Sequence, residues 1–376
     1  MGTEERKYPT SELEVLERGS REVVEPNGLK LLLKPVPGDE RERVLDPRVY
    51  ARAHAKLAAG PAPAGPVDVI AWRSAPNKET HVVRGSNVAK KTVVMNFGDR
   101  GIPLHVFTPE GHGCGSAALV FIHGGGFRVG NIGQYENCLR DIAERTGCVA
   151  IYPEYRLSPE TMFPGGVEDC VKTLDWLVEH ADELGVDATR VAVAGDSAGG
   201  SVTNAVGLDG GHEDRIKLVA ELYPLVDGGP VPEEWSYDLY EIVNDQRAEA
   251  LSRVDRIRNA NDDLPVMYTN GNAEEMLDPR VSALFAGEES AFTRTVIIAS
   301  EYDYLRYQDE LFAKRLQDAG VDVTAIRYRG CDHGFFEIYF LMPQGPQVSP
   351  LFPDTPAYLS PLVAAASWTS GGPAGC

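Results

Sequence analysis

What this 376-residue sequence lacks narrows it first. No stretch approaches the roughly 18 consecutive apolar residues that a membrane-spanning helix needs. Met1 to Lys7 is polar and acidic, with no apolar core of signal-peptide length behind it, so a cytoplasmic protein that stays off membranes is expected. Basic residues are scarce: 36 Lys+Arg stand against 56 Asp+Glu, a formal net charge of −20. A surface of that sign repels phosphate backbones and anionic headgroups, which disfavours nucleic-acid and membrane-surface partners. The six cysteines (Cys114, Cys138, Cys148, Cys170, Cys331, Cys376) have irregular spacing and form no CxxC pair. In a chain this large they read as buried, reduced thiols, not as a disulfide framework or a zinc site. No internal repeat is visible.

What is present has the texture of a layered α/β protein. The hydrophobic fraction of 43% and charged fraction of 24% are those of a globular chain. From about Thr92, short apolar runs alternate with helical patterns, the signature of βαβ units and a mostly parallel sheet. The strand candidates are Thr92–Asn96, Leu104–Thr108, Ala117–Ile122, Cys148–Tyr152, Val191–Ala194, Leu218–Tyr223, Thr295–Ala299 and Val323–Tyr328. Val167, Val171, Leu174 and Val178 share one face of a helix that stops near Gly185. Leu305, Phe312 and Leu316 mark a second that ends at Gly320. Upstream, Asp46-Pro47 offers an N-cap with proline at the first helical position, in a run closing at Gly60. Pro61 to Pro66 (PAPAGP) reads as a stiff linker. The acidic segment from about Asp227 to Leu277 breaks the alternation. The expected fold class is therefore α/β, a mostly parallel central sheet of about eight strands flanked by helices, with a helical cap. Residues 1–85 would be an N-terminal cap or lead-in, 86–227 and 276–341 the catalytic domain, 228–275 a second cap segment and 342–376 an irregular tail.

Two glycine-rich turns carry the chemistry. Gly195-Asp196-Ser197-Ala198-Gly199 directly follows the strand candidate Val191–Ala194 and precedes a helix-compatible run. A strand-to-helix turn that tight forces glycine on either side of the serine, where side chains would meet neighbouring backbone. It also sets the hydroxyl at a helix N-terminus, where free N–H groups and the helix dipole favour developing negative charge. His123-Gly124-Gly125-Gly126 follows the buried strand Ala117–Ile122. Its glycines let the N–H groups of Gly124 and Gly125 converge with that of Ala198 on an oxyanion. A phosphate-binding turn is the alternative, but neither G-x-G-x-x-G nor a following Lys-Ser/Thr is present.

A serine hydroxyl is a poor nucleophile at its own pKa, so a base and an orienting acid are required. Of the eight histidines, His333 lies beyond Ser197 in a loop after a late strand, whereas His212 sits in a polar connection too close to the nucleophile helix. Asp303 stands at the end of the strand Thr295–Ala299, where active-site residues of open α/β sheets collect. It is equally suited to cap the helix that follows. Glu301 is the competing acid; Asp332 and Asp196 neighbour catalytic residues too closely to reach the imidazole.

These residues resemble the bacterial hormone-sensitive-lipase-like esterases, the α/β-hydrolase branch with an HGGG oxyanion turn. The likeness extends to Glu154–Glu160 (EYRLSPE), similar to the family's D-Y-R-L-A-P-E, and to Phe163–Asp169 (FPGGVED), similar to its F-P-A-A-x-x-D. It continues through Asp278–Ser282 (DPRVS), Tyr302–Arg306 and His333–Phe335. The resemblance implies one catalytic domain under a helical cap, with Ser197 as nucleophile, His333 as base and Asp303 as acid. It implies carboxylesterase activity on short acyl esters, with a small-molecule ester as partner and no cofactor or metal, and leaves a homo-oligomer open. An amidase or deacetylase would use the same triad, and a non-catalytic ligand-binding relative would have lost one member. Three departures stand out. Glu154 and Ser158 replace the usual Asp and Ala, the cap pieces match no motif, and Phe340 to Cys376 is rich in Pro, Gly and Ser where the family has an amphipathic helix. From about Val348 the tail is expected to be loosely held, because it can bury little apolar surface.

Overall fold

Continuous apolar runs suit strands covered on both faces, and here they form the middle of one large sheet. The computed structural model describes residues 15–338, apart from 17, 38, 61–67, 75–86, 209–213 and 288. Its strands are β1 (Arg21–Val24), β2 (Lys30–Lys34), β3 (Val88–Phe97), β4 (Arg100–Pro109), β5 (Ser116–Ile122), β6 (Val149–Pro153), β7 (Val186–Asp196), β8 (Ile216–Leu222), β9 (Thr295–Tyr302) and β10 (Val323–Asp332). They lie in the order β1-β2-β10-β9-β8-β7-β5-β6-β4-β3. From β2 across to β6 every neighbouring pair is parallel. The antiparallel pairs are confined to the two ends. In β5 every residue from Ala117 to Ile122 is buried. Each large apolar side chain so placed contributes roughly 1.5–3 kcal/mol.

The eight expected strands are all found, and β1 and β2 add two more from residues read as lead-in. REVV and KLLLK are too short for periodicity to register. A non-local edge makes them strands: β10 offers an unpaired side, Ile326 faces Leu32 across it, and Leu29 and Leu31 pack with Phe312 and Leu316.

Six helices of eight or more residues stand among the described residues: α1 (Pro47–Ala58), α2 (Ile132–Thr146), α3 (Gly165–Glu179), α4 (Ala198–Leu208), α5 (Arg247–Asp262) and α6 (Arg306–Asp318). Asp46 caps α1 by accepting from the Arg48 N–H, with Pro47 at the first position as expected. Asn131 and Gln134 close a capping box on α2. α3 buries Val167, Cys170, Leu174 and Leu177, close to the expected stripe. Its Asp169, fully buried, accepts from Arg156 N at 2.9 Å, Nε at 2.8 Å and Nη2 at 2.6 Å, which is what joins the EYRLSPE and FPGGVED motifs. The acidic segment after Asp227 contains α5, which packs on α1. Gln246 Oε1 accepts from the Leu45 N–H at 2.7 Å, and His54 Nδ1 meets Glu249 Oε1 at 2.9 Å, so the two segments expected to cap the domain are joined.

Cys138, Cys148, Cys170 and Cys331 are buried free thiols. Cys114 departs from the expectation: it is disulfide-bonded. The Pro61–Pro66 linker and the 342–376 tail lie outside the described residues. No helix among the described residues is long and apolar enough to cross a membrane.

Candidate active site

Four strand ends in the middle of the sheet build the site, with β8 lying between two of them. His123 follows the last residue of β5, Ser197 the last of β7, Asp303 the last of β9 and His333 the last of β10. Parallel strands bring all four to their carboxyl ends. Ser197 is the single residue between β7 and α4, and it takes a left-handed φ of 55°. Glycine is required beside it, since a Cβ on Gly199 would lie 2.2 Å from the Ile122 carbonyl oxygen. The turn is fixed by backbone bonds: the Ser197 N–H donates to Leu222 O at 2.9 Å, and Ser197 O accepts from Gly200 and Leu225.

The structure brings the three sequence-predicted groups into one hydrogen-bonded line. His333 Nε2 is 2.8 Å from Ser197 Oγ, and His333 Nδ1 is 2.6 Å from Asp303 Oδ2. A carboxylate only accepts, so Nδ1 carries the proton and Nε2 is free to accept from the serine hydroxyl. Asp303 is fully buried and His333 7% exposed, so little water competes for these bonds. The other oxygen, Asp303 Oδ1, accepts from the Leu305 N–H at 3.1 Å, so the residue holds the turn that leads into α6 and faces the histidine at once, while the N-cap of α6 itself is Leu305. Glu301 turns elsewhere, accepting from the Gly330 N–H at 2.7 Å, and burial raises its carboxyl above the ordinary range.

The glycine loop differs from expectation at one residue. The Gly124 N–H donates to Asp196 Oδ1 at 2.9 Å, so it is not free to meet an oxyanion. Asp196, whose Oδ2 also accepts from Tyr135 Oη at 3.1 Å, staples the loop to the serine turn. Among the described residues no acceptor takes the N–H of Gly125, Gly126 or Ala198. Gly125 has φ 111°, and a Cβ there would lie 2.0 Å from Val129 O, so the loop demands glycine. His123 supports the loop from below. It is fully buried, stacks on Tyr155 at 4.4 Å and donates from Nδ1 to Gly124 O at 2.8 Å; burial lowers its pKa and keeps it neutral.

Several contributors left no trace in the spacing of motifs. Tyr223 sets its ring edge-on to His333 at 4.8 Å. Tyr240 Oη donates to Asp303 O at 3.0 Å, and Trp235 Nε1 donates to Tyr240 Oη at 3.1 Å, so these aromatics pack behind the acid. Arg253 Nε donates to Asp332 Oδ2 at 2.7 Å, and Arg256 Nη2 to the His333 carbonyl at 2.7 Å. Burial alone would raise the Asp332 carboxyl, but Arg253, Arg52 and Arg256 overcome it and hold it below the ordinary range. Farther back, Glu221 on β8 and Asp309 on α6 are fully buried, and neither is ion-paired among the described residues. Burial raises both, Glu221 to about 8 against a smaller opposing effect of Asn204, and Asp309 further under the nearby charges of Asp303 and Glu221. No group of three or more His, Cys, Asp or Glu among the described residues is placed to hold a metal.

Residues 119–337, more than half of the chain, match the α/β-hydrolase fold family. The chain belongs to that family. This α/β hydrolase is 28% identical over 243 residues to an ethyl acetate hydrolase of Pseudomonas putida, covering 63% of this chain and 72% of that one. It is 30% identical over 291 residues to neutral cholesterol ester hydrolase 1 of Mus musculus, covering 62% and 71%. Among solved structures it is similar to an esterase of Pyrobaculum calidifontis, with a TM-score of 0.66 at 27% identity over 85% of this chain and 99% of that one.

Proposed function

We propose that this α/β hydrolase is a carboxylesterase that cleaves short-chain acyl esters through an acyl-enzyme on Ser197. The observation that carries the reading is the continuous line from Ser197 Oγ to His333 Nε2 at 2.8 Å and from Nδ1 to Asp303 at 2.6 Å. In the first half-reaction Oγ attacks the ester carbonyl while Nε2 takes its proton. The carbonyl oxygen becomes an oxyanion, for which the free N–H groups of Gly125, Gly126 and Ala198 are the donors at hand. The imidazolium then protonates the departing alkoxide, leaving an acyl-serine. Water repeats the sequence: its oxygen attacks the acyl carbon as Nε2 takes its proton, the acyl–Oγ bond breaks as Nε2 returns that proton to Oγ, and the carboxylic acid leaves. Asp303 stays ionised throughout and holds the ring in the tautomer that exposes Nε2.

Residues 228–275 serve in this reading as a cap, seated on α1. Short acyl chains are favoured on physical grounds. The net charge of −20 opposes adsorption to anionic interfaces, and the cap carries Glu233, Glu234, Asp238 and Glu241 close together. Tyr240 is 2% exposed and committed to packing behind Asp303, so it adds no wall to an acyl tunnel. The test is kcat/KM for p-nitrophenyl esters across chain lengths. A maximum between acetyl and about hexanoyl is expected. A maximum at dodecanoyl or longer, or activation above the substrate's micellar concentration, would refute the short-chain reading, and absence of turnover on every ester would refute the esterase.

A further inference from the structure

The ring of His333 is held by Ser197 and Asp303, but its backbone is held by a helix from another part of the chain. Arg253 and Arg256 are three residues apart on α5, which puts them on one face. Arg253 Nε reaches Asp332 Oδ2 at 2.7 Å, with the two side chains only 2% and 0% exposed. Arg256 Nη2 reaches the carbonyl oxygen of His333 itself at 2.7 Å. One arginine thus grips the residue before the histidine and the other the histidine's own peptide. Arg52 of α1 adds a third positive charge at Asp332, so both segments that cover the domain converge there. A carboxylate with no exposure is costly unless it is paired, so Asp332 fixes where α5 can sit. The dependence runs in both directions. If α5 shifts, the peptide carrying His333 shifts with it, and the 2.8 Å contact to Ser197 Oγ is lost.

Resting on the proposed esterase reading, we propose that Arg253 and Arg256 are positioning residues for His333, so that seating of α5 and assembly of the Ser197–His333 contact are one event. The helix then does more than cover the acyl site, because it completes the base.

Arg256→Met is the more informative substitution, since Arg256 is only part-buried and its removal leaves no carboxylate unpaired. Arg256→Lys keeps one donor for the carbonyl. Arg247→Met on the same helix is the control, an exposed residue of its first turn. All four proteins are assayed on p-nitrophenyl butyrate at a temperature where circular dichroism shows them folded. Arg256→Met should lower kcat roughly 10- to 100-fold with KM within about twofold, the effect of a small misplacement of a catalytic group. Arg256→Lys should recover part of the loss, and Arg247→Met should match the wild type. The downfield proton resonance of the His333 Nδ1–H···Asp303 bond should move or broaden in Arg256→Met alone. A kcat within about twofold of wild type, or a loss that follows folded fraction while that resonance is unchanged, overturns the proposal. Labelling of wild-type Ser197 by a fluorophosphonate, run alongside, separates the two failures: a wild type that neither labels nor turns over defeats the esterase reading itself.

Discussion

Replacing Glu221 by Gln isolates a carboxyl that the fold holds in its protonated form. The side chain is fully buried on β8, and burial raises its pKa from an ordinary 4.5 to about 8. In the unfolded chain the group ionises near its ordinary value, whereas in the folded chain it keeps its proton to about pH 8. Between those limits the native state binds the extra proton, so this group makes stability fall as pH rises, by up to about 1.4 kcal/mol per pH unit. Summed over the interval, the loss is on the order of 5 kcal/mol, an upper bound because relaxation and water entry soften the cost of the buried charge. Gln keeps the shape and cannot ionise. The assay is urea unfolding of both proteins from about pH 5 to about pH 9 at fixed ionic strength, read as the difference between them so that other carboxylates cancel. The variant should gain on the wild type steadily with pH and the gain should level off above about pH 8. A difference that does not change with pH, or a variant less stable than wild type at about pH 8, would refute the reasoning.

Two further substitutions test individual contacts. Asp303→Asn should lower kcat by roughly 10⁴ through a misoriented imidazole, while Glu301→Gln should cost less than about tenfold; steady-state kinetics showing the reverse would transfer the orienting role to Glu301. Asp169→Ala removes the acceptor of three Arg156 donors and should lower unfolding free energy by roughly 3 kcal/mol or more in urea titrations at neutral pH. A loss below about 1 kcal/mol would mean that the join between the two motifs is not what stabilises that corner.

Legibility in the sequence followed locality. The expectation for Ser197, Asp303 and His333 rests on each lying within a few residues of the end of an apolar run, and the structure extends each run to the residue just before it. The αL turn at Ser197 announced itself through flanking glycines, whose spacing is a backbone requirement. The Gly124 donor was misassigned because the loop's glycines are equivalent on paper, and only the fold shows Asp196 aiming at one of them. Asp196 had been weighed as a rival acid, whereas its carboxylate serves the loop. β1 and β2 are too short to show periodicity, and β2, on which β1 pairs, has its other partner some 290 residues away in sequence. Arg52, Arg253 and Arg256 carry no motif at all, since an arginine on a polar helix reads as surface until the helix is seated on Asp332. The use of Trp235 and Tyr240 behind Asp303 depends on a crossing that no local pattern records.

Turnover through Ser197 passes an acyl group onto its oxygen. Acid-quenched intact-mass and peptide mapping of the wild-type protein during turnover of p-nitrophenyl acetate measures it directly. The expected result is one acetyl group, on the peptide carrying Ser197, with a burst of about one p-nitrophenol per protein and no adduct in Ser197→Ala. An acetyl group on any other residue, or a Ser197→Ala protein that keeps more than about a tenth of wild-type kcat, would contradict the account.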